Sequence, residues 1–367
     1  DGLVHFTKSM GDSWENVTPT QAPKFLMFNS IETSPFNSGK VYLAGTTYKT
    51  GDFNPYLYKT IDYGKTWKKI INGIPKEHFT RVLRADPIKE GLLYTGTEYG
   101  IYISYDDGES WNSFQKNLPQ VPITDLKIKD NSLIVATQGR GIWVLDDLTV
   151  LHQLNPEIID DEINLFKPKE SYRLSGSGGK KSKIAGTNLE NGVIVYYNLK
   201  TYDSKKDSVS LSFSDSNGKI IKTFSNFDSK NNLKPKKGSN KFVWDTKYKG
   251  AEILDGMIFW SVSFSGVKAS PGEYKVELKK NEIKKSKTFD ILINPNSEAE
   301  VKDIQTQVSF VNSINNLVDK AHKVIKKIRK INKTLIEFEK NYEGSKQLVS
   351  KSKKLRDQFL KIEKALY

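Results

Sequence analysis

Short runs rich in β-branched and aromatic residues fill the first 150 or so positions, and turn formers close each run. "KVYLAGT" (40–46), "PYLYKT" (55–60), "TRVLRAD" (80–86), "GLLYTGT" (91–97), "GIYISY" (100–105), "ITDLKIK" (123–129) and "SLIVAT" (132–137) read as strands about 8 to 12 residues apart. A Trp-bearing box recurs among them. "TIDYGKTW" (60–67) returns as "SYDDGESW" (104–111), a shift of 44 residues. Units of about 40 to 50 residues with four strands each are the pattern of a β-propeller blade. "TKSMGDSW" (7–14) is a third copy with Ser9 in place of the Asp, and "GIWVLDDL" (141–148) matches 100–107 but loses the Gly and Trp. The chain is expected to hold the end of one blade, two full blades and one decayed blade. About three blades do not close a ring, so the remaining blades are expected upstream in the same polypeptide or in a partner chain.

The pattern changes after Leu154. "SGSGGKKSK" (175–183) reads as a polar loop. "GVIVYYNL" (192–199), "SVSLSFSD" (208–215), "KIIKTFS" (219–225), "NKFVWDT" (240–246), "IFWSVSF" (258–264) and "GEYKVELKK" (272–280) alternate like half-buried antiparallel strands, which predicts a β-sandwich over 153–297. From about Asn296 the period becomes helical. Leu317, Ala321, Val324, Ile328, Ile331, Leu335 and Phe338 step by four and three, "NYEGS" (341–345) breaks the run, and Leu355, Phe359, Ile362 and Leu366 resume it. The reading for 298–367 is a helical hairpin closed by this shared seam. The fold class is therefore mainly β: propeller blades over 1–152, a sandwich, then an α-helical hairpin.

The box runs directly on from "PYLYKT" and "GIYISY", which places it on the turn between third and fourth strands. There Asp62 and Asp106 can accept backbone N–H groups, Gly64 and Gly108 can supply positive φ, and Trp67 and Trp111 can pack between strands. Catalysis would need a partner acid, base or metal ligand beside each box, and none recurs. These six residues are read as scaffolding.

Composition narrows the chemistry. Zero Cys excludes disulfides and thiolate sites, and the four His (His5, His78, His152, His322) show no metal-ligand spacing. The formal charge of +14 raises the question of nucleic acid, but only six of the 57 basic residues are Arg, the side chain that reads phosphates bidentately. Lysines scattered on solvated faces explain the charge. No apolar run reaches the roughly 18 residues of a membrane span, and the chain opens on Asp1 without a leader-like segment. No nucleotide, flavin or metal motif is present, so no cofactor is expected.

Thr60–Trp67 and Ser104–Trp111 resemble the Asp-box of the sialidase-type and sortilin-type propellers. With "DGLVHFTKSMGDSWENVTP" (1–19), "GRGIWVLDDLTVLHQL" (139–154), "GSNKFVWDT" (238–246) and "ASPGEYKVEL" (269–278) in that order, nearly the whole chain is similar to large exported Bacteroidetes proteins labelled glycosyl hydrolase or BNR/sortilin-like repeat proteins. The resemblance implies that 153–297 is an immunoglobulin-like module similar to that of flagellar hook-capping proteins. It also implies a periplasmic, cell-surface or secreted location, and a propeller that lies mostly upstream of Asp1.

Three functional readings follow. In a four-stranded blade the second-to-third strand loops and the interblade loops share one side, opposite the boxes. Tyr48, Asp52, Glu77, His78, Glu98, Tyr99, Gln138 and Arg140 therefore converge there, and aromatics with carboxylates and amides suit a glycan or protein ligand. The 48–54 insertion marks this mouth further. Sialidases, which the boxes resemble, need an arginine cluster, a Tyr–Glu pair and an acid/base Asp. Here Arg81 and Arg84 are placed on one face of one strand, Arg140 lies elsewhere, and Asp146 and Asp147 fall on the decayed turn. A glycoside hydrolase would thus keep its catalytic residues mostly in upstream blades. In the third reading the sandwich is a spacer and the hairpin an assembly element.

Overall fold

Alternating side chains that are apolar on both faces force a strand to be covered twice, and the first region of the chain meets this demand by stacking sheets. The computed structural model describes residues 2–155, 160–174, 190–254 and 265–366. The segments 175–183 and 258–264 singled out above lie wholly or largely outside them. The chain divides into two compact units, Asp1–Leu154 and Asn155–Tyr367.

The first unit opens with the pair β1 (His5–Phe6) and β2 (Glu15–Asn16). Two four-stranded antiparallel meanders follow: β3 (Met27–Thr33), β4 (Val41–Thr47), β5 (Asp52–Thr60) and β6 (Lys68–Lys69), then β7 (Thr80–Ala85), β8 (Leu93–Thr97), β9 (Gly100–Ser104) and β10 (Asn112–Ser113). A three-stranded sheet, β11 (Ile123–Lys129), β12 (Ser132–Thr137) and β13 (Ile142–Leu145), completes the series. The arrangement is propeller-like. In the second meander Val82, Tyr94, Ile101 and Ile103 join a core with Leu126, Leu133 and Val135 of the third sheet. Leu83, Leu93 and Tyr102 join Tyr42, Ala44 and Leu57 of the first. Each such side chain contributes roughly 1.5–3 kcal/mol on burial. The short helix α1 (Thr149–Gln153) is pinned to the β7–β8 turn by His152, whose Nε2 lies 2.8 Å from the fully buried Asp86 carboxylate. Burial alone would raise the Asp86 carboxyl, but His152 and the N–H groups of Lys89 and Ile88 hold it below its ordinary value.

The boxes occupy the β5–β6 and β9–β10 turns with one hydrogen-bond scheme. Thr60 Oγ1 accepts from Gly64 N at 2.9 Å, and Asp62 accepts from Thr66 N at 2.9 Å and Thr66 Oγ1 at 2.6 Å. Ser104, Gly108, Asp106 and Ser110 repeat it at 2.9, 2.9 and 2.5 Å. In the first copy Thr7 Oγ1 accepts from Gly11 N at 3.0 Å, and Ser9 Oγ takes the place of the carboxylate, accepting from Ser13 N at 2.9 Å. A hydroxyl suffices there.

The tryptophans, expected to pack between strands, each reach the sheet before their own. Trp67 Nε1 donates to the Val17 carbonyl (2.7 Å) and Trp111 Nε1 to the Ile70 carbonyl (2.8 Å), each three residues past the preceding box tryptophan. The box glycine meets the same residue. A methyl group at Gly64 would lie 2.7 Å from Val17 Cβ and one at Gly108 2.6 Å from Ile70 Cδ1, and both glycines have φ near +85° (84° and 88°). Glycine and tryptophan of each box thus clasp one residue of the sheet before. Trp14, 60% exposed, has no such seat among the described residues.

In the second unit β14 (Ile163–Leu165), β16 (Val193–Leu199) and β19 (Gly238–Trp244) form one sheet. β15 (Ser171–Tyr172), β17 (Val209–Asp215), β18 (Ile220–Ser225), β20 (Gly272–Lys280) and β21 (Ile283–Leu292) form the other. The two sheets share a single core, in which Phe213 stacks on Trp244 at 4.4 Å. Helices α2 (Val301–Asn341) and α3 (Lys346–Leu366) follow, separated at 342–345. Their packing keeps the second half of the predicted α2 seam, where Ile328 is buried and Ile331, Leu335 and Phe338 are half-buried, and corrects the rest. Ile304, Val308, His322, Ile325 and Ile328 are buried on α2, whereas Leu317 and Val324 are exposed, as are Leu355, Ile362 and Leu366 on α3. One cause is Glu252, outside the hairpin. Its side chain bonds Lys326 Nζ at 2.7 Å, its N–H donates to Asp319 at 2.5 Å and its carbonyl meets His322 Nδ1, which turns a neighbouring stripe inward. The other is polar pairing: Ser352 and Arg356 bond Glu339 (2.9 and 2.8 Å) and Glu363 bonds Arg329 (2.7 Å), shifting the α3 contact by one residue.

Two outcomes are expected. Trp111→Phe leaves the Ile70 carbonyl unpaired at a buried junction and should cost about 1 to 3 kcal/mol, whereas Trp14→Phe should stay within about 0.5 kcal/mol. Equal losses in urea unfolding would contradict the inter-sheet role. The hydrogen bonds from Thr66 and Thr60 hold the exposed Asp62 carboxyl at about 2, below its ordinary 3.8. Its folded value is depressed, so its contribution is complete above pH 3.8 and is lost as pH falls through about 2. The urea midpoints of wild type and Asp62→Asn should differ by a constant amount above about pH 5 and converge in acid; a gap that widens in acid would refute this.

Candidate functional site

The first strands of the three sheets, β3, β7 and β11, lie side by side without backbone pairing between them. Each carries a register shift at the same place: between Phe28 and Ser30, Thr80 and Val82, and Ile123 and Asp125. The bulged residues are Asn29, Arg81 and Thr124, 15, 14 and 13 residues after the box tryptophans. A bulge re-aims the side chains around it. In a regular strand positions 81 and 84 would face opposite ways; with the bulge, Arg81 and Arg84 line one polar cleft of about 400 Å³ with Met27, Asn29, Tyr48, Val82, Thr124 and Asp125.

Arg84 ties the three strands together. Nη1 donates to Ser30 Oγ on β3 at 2.7 Å and to Leu83 O at 2.8 Å. Nε donates to Leu126 O at 2.8 Å and Nη2 to Asp125 Oδ1 at 2.7 Å, both on β11. Glu32 lies 3.7 Å from the same guanidinium and accepts from Ala85 N. Burial nonetheless holds the Glu32 carboxyl above its ordinary value, outweighing both partners.

On the Tyr48 side of the cleft, Arg81 donates through Nε and Nη2 to one oxygen of Glu98 (2.8 and 2.6 Å). Its guanidinium lies over the Phe79 ring at 5.2 Å and the Tyr48 ring at 5.8 Å, and those rings stack at 5.1 Å. Beside them His78 stacks on Tyr99 at 4.5 Å and shares a 2.7 Å hydrogen bond between Nδ1 and Tyr102 Oη. Burial lowers the His78 imidazole below its ordinary value, against the pull of Glu77.

The residues chosen from sequence divide into three sets. Tyr48 lines the cleft and Glu98 is tied to Arg81, while His78 and Tyr99 form the adjoining ring pair. Asp52 is spent on its own turn, accepting from Tyr56 Oη at 2.5 Å and Asn54 N at 3.0 Å, and these bonds hold it at about 2 against burial. Gln138 and Arg140 sit on the β12–β13 turn. Among the described residues, no hydrogen bond, ion pair or ring contact joins their side chains to the group around Arg81; the Arg140 carbonyl accepts from Trp143 Nε1. Asp147 accepts from Thr149 N at 2.9 Å in the turn that leads into α1. Asn29, Thr124 and Asp125 were not foreseen. The available signal was a polar residue 13 to 15 positions after each box tryptophan.

No protein-family profile matches the chain, and no curated protein matches it. Among solved structures it is similar to YCF48 bound to a D1 peptide, at 18% identity and a TM-score of 0.31, covering 39% of this chain and 44% of that one. It is also similar to the GH74 enzyme of Niastella koreensis, at 15% identity and a TM-score of 0.28, covering 47% and 28%. A third is an ancestral GH74 enzyme, at 12% identity and a TM-score of 0.33, covering 61% and 30%. The chain spans less than half the length of each, and likeness of this size carries nothing about ligand or activity. No helix among the described residues is long and apolar enough to cross a membrane.

Removing Arg84 leaves Asp125 and Glu32 facing each other across the strands. Arg84→Met should cost about 2 to 3 kcal/mol, and Arg84→Lys should recover little of it, because one ammonium cannot reach the four acceptors the fork spans. Urea unfolding of the two variants is the check, and a lysine variant as stable as wild type would disprove the bridging role.

Proposed function

We propose that residues 1–152 are blades of an Asp-box β-propeller that binds a glycan or protein ligand at its mouth, and that further blades complete the ring. On this reading 153–297 is an immunoglobulin-like module, 298–367 a helical hairpin, and the protein is exported. The observation that carries the proposal is the mouth itself. Tyr48 and Phe79 form a stacked aromatic wall against Arg81, above a cleft edged by Asn29, Thr124 and Asp125. Flat rings beside polar donors and acceptors suit a sugar face or a peptide side chain. Glu98 and Asp125 are each committed to an arginine, which leaves neither free as a general acid. Two surfaces support further blades. One is the unseated Trp14; the other is the outer face of the third sheet, where Ile142 and Val144 are exposed opposite Ala136 and Ile134.

One observation favours a glycoside hydrolase instead. Burial raises the Glu32 carboxyl beside Arg84 above its ordinary value, the direction a general acid needs, although hydrolysis also needs a second carboxyl at a suitable distance.

Both readings meet in one experiment: glycan and peptide arrays run beside a fluorogenic glycoside panel, with Arg81→Ala, Tyr48→Ala and Glu32→Gln. Binding without turnover, weakened at least about tenfold in the first two variants, is expected. Turnover that disappears in Glu32→Gln would establish the hydrolase. Binding unchanged in Arg81→Ala and Tyr48→Ala, with thermal melts showing both folded, would remove the mouth from consideration.

A further inference from the structure

Helix α2 carries an apolar stripe from Phe310 to Phe338 at alternating steps of four and three. Over its second half, Ile328 is buried and Ile331, Leu335 and Phe338 are half-buried, where α3 runs alongside. Glu363, near the end of α3, is level with Arg329, so α3 stops there. The first half of the stripe continues in the same register for about 21 Å at 1.5 Å per residue, and no described residue covers it. Phe310 is 65% exposed, Ile314 43%, Leu317 65% and Val324 45%.

We propose that this uncovered half of α2 is the docking site for an acidic amphipathic helix of a partner protein. Three observations select that occupant. The exposed positions keep strict heptad spacing, and Val311, Val318 and Ile325 beside them are half-buried or buried, so the free surface is a narrow seam of the width one helix fills. The seam is continuous with the α2–α3 interface, which already receives a helix and seals its edge with Glu363 on Arg329. Its open edge is basic toward the α3 end: Lys320 and Lys323 are exposed there, Lys327 and Lys330 continue the row beside the covered half, and residues 301–366 hold sixteen Lys and Arg against seven Asp and Glu. A second copy laid on the seam would set lysines against lysines, whereas glutamates at the flanking positions of a partner helix would pair with them. The proposal is independent of what the mouth binds.

The test uses the full chain and two synthetic four-heptad peptides. Both carry Leu at the seam positions; one has Glu and the other Lys at the flanking positions. Fluorescence anisotropy should show one-to-one binding of the acidic peptide, weakened at least about tenfold by Leu317→Asp and by raising salt from about 0.05 to 0.5 M. The basic peptide should bind at least about tenfold more weakly. Leu317 is exposed, so the variant is expected to fold, and its melting curve verifies this. Failure of the acidic peptide to bind, equal binding of both peptides, or binding untouched by Leu317→Asp would overturn the proposal. So would a dimer in sedimentation that Leu317→Asp dissolves, which would assign the seam to a second copy. Flotation with phosphatidylglycerol vesicles, lost in the same variant and without peptide binding, would assign it to a membrane surface.

Discussion

The first unit depends on an indole N–H reaching across from one sheet to the main chain of the sheet before it. At both complete junctions the tryptophan donates to the residue just past the short strand before it, β2 or β6, and the box glycine makes room for that residue's side chain. The carbonyl would otherwise be buried without a partner, at a cost of about 1 to 3 kcal/mol. Once the contact is made, it fixes the spacing of adjacent sheets, and that spacing is what buries strands such as β8 on both faces. The carboxylate or hydroxyl at the box's third position acts one step back, shaping the turn that presents glycine and tryptophan together.

At the opposite side the constraint is different. Three bulged strands lie close without sharing backbone hydrogen bonds, and Arg84 supplies what the backbone cannot. A planar fork with five donors can satisfy acceptors on two neighbouring strands at once. Because Arg84 is consumed in holding the strands, Arg81 is left to shape the mouth, with its charge answered by Glu98 and its faces by aromatic rings. Two arginines three residues apart thus have separate duties.

Much of this was legible in the chain. The 44-residue recurrence located the box turns, the alternating runs located most strands, and Asn341–Ser345 marked the break between the helices. Strand β3 was missed because Asn29 and Ser30 interrupt its alternation, and that interruption is the bulge itself. Strand β21 was missed because Lys284, Lys285 and Lys287 hide a sheet position behind solvated side chains. The group around Arg81 was only half legible, since loop membership placed Tyr48, His78, Glu98 and Tyr99 on one side but could not show that a carboxylate such as Asp52 is bound into its own turn. The first half of the helical seam misled for a related reason. Two apolar stripes run along α2, and the contact with Glu252, from a distant part of the chain, decides which one turns inward.

The glycine approach has a consequence for how such a chain can change over time. At the box end, an added methyl group would meet Val17 Cβ at 2.7 Å or Ile70 Cδ1 at 2.6 Å on a backbone already at positive φ, so a replacement there is strained. At the other end the β4–β5 connection accommodates a helical turn at Tyr48–Thr50, where the β8–β9 connection makes do with two residues, and both sheets keep the same pairing. Insertions and replacements can therefore accumulate at one rim while the opposite rim holds the geometry still. A scaffold with one rigid and one permissive rim can acquire a new ligand without having to solve its folding again.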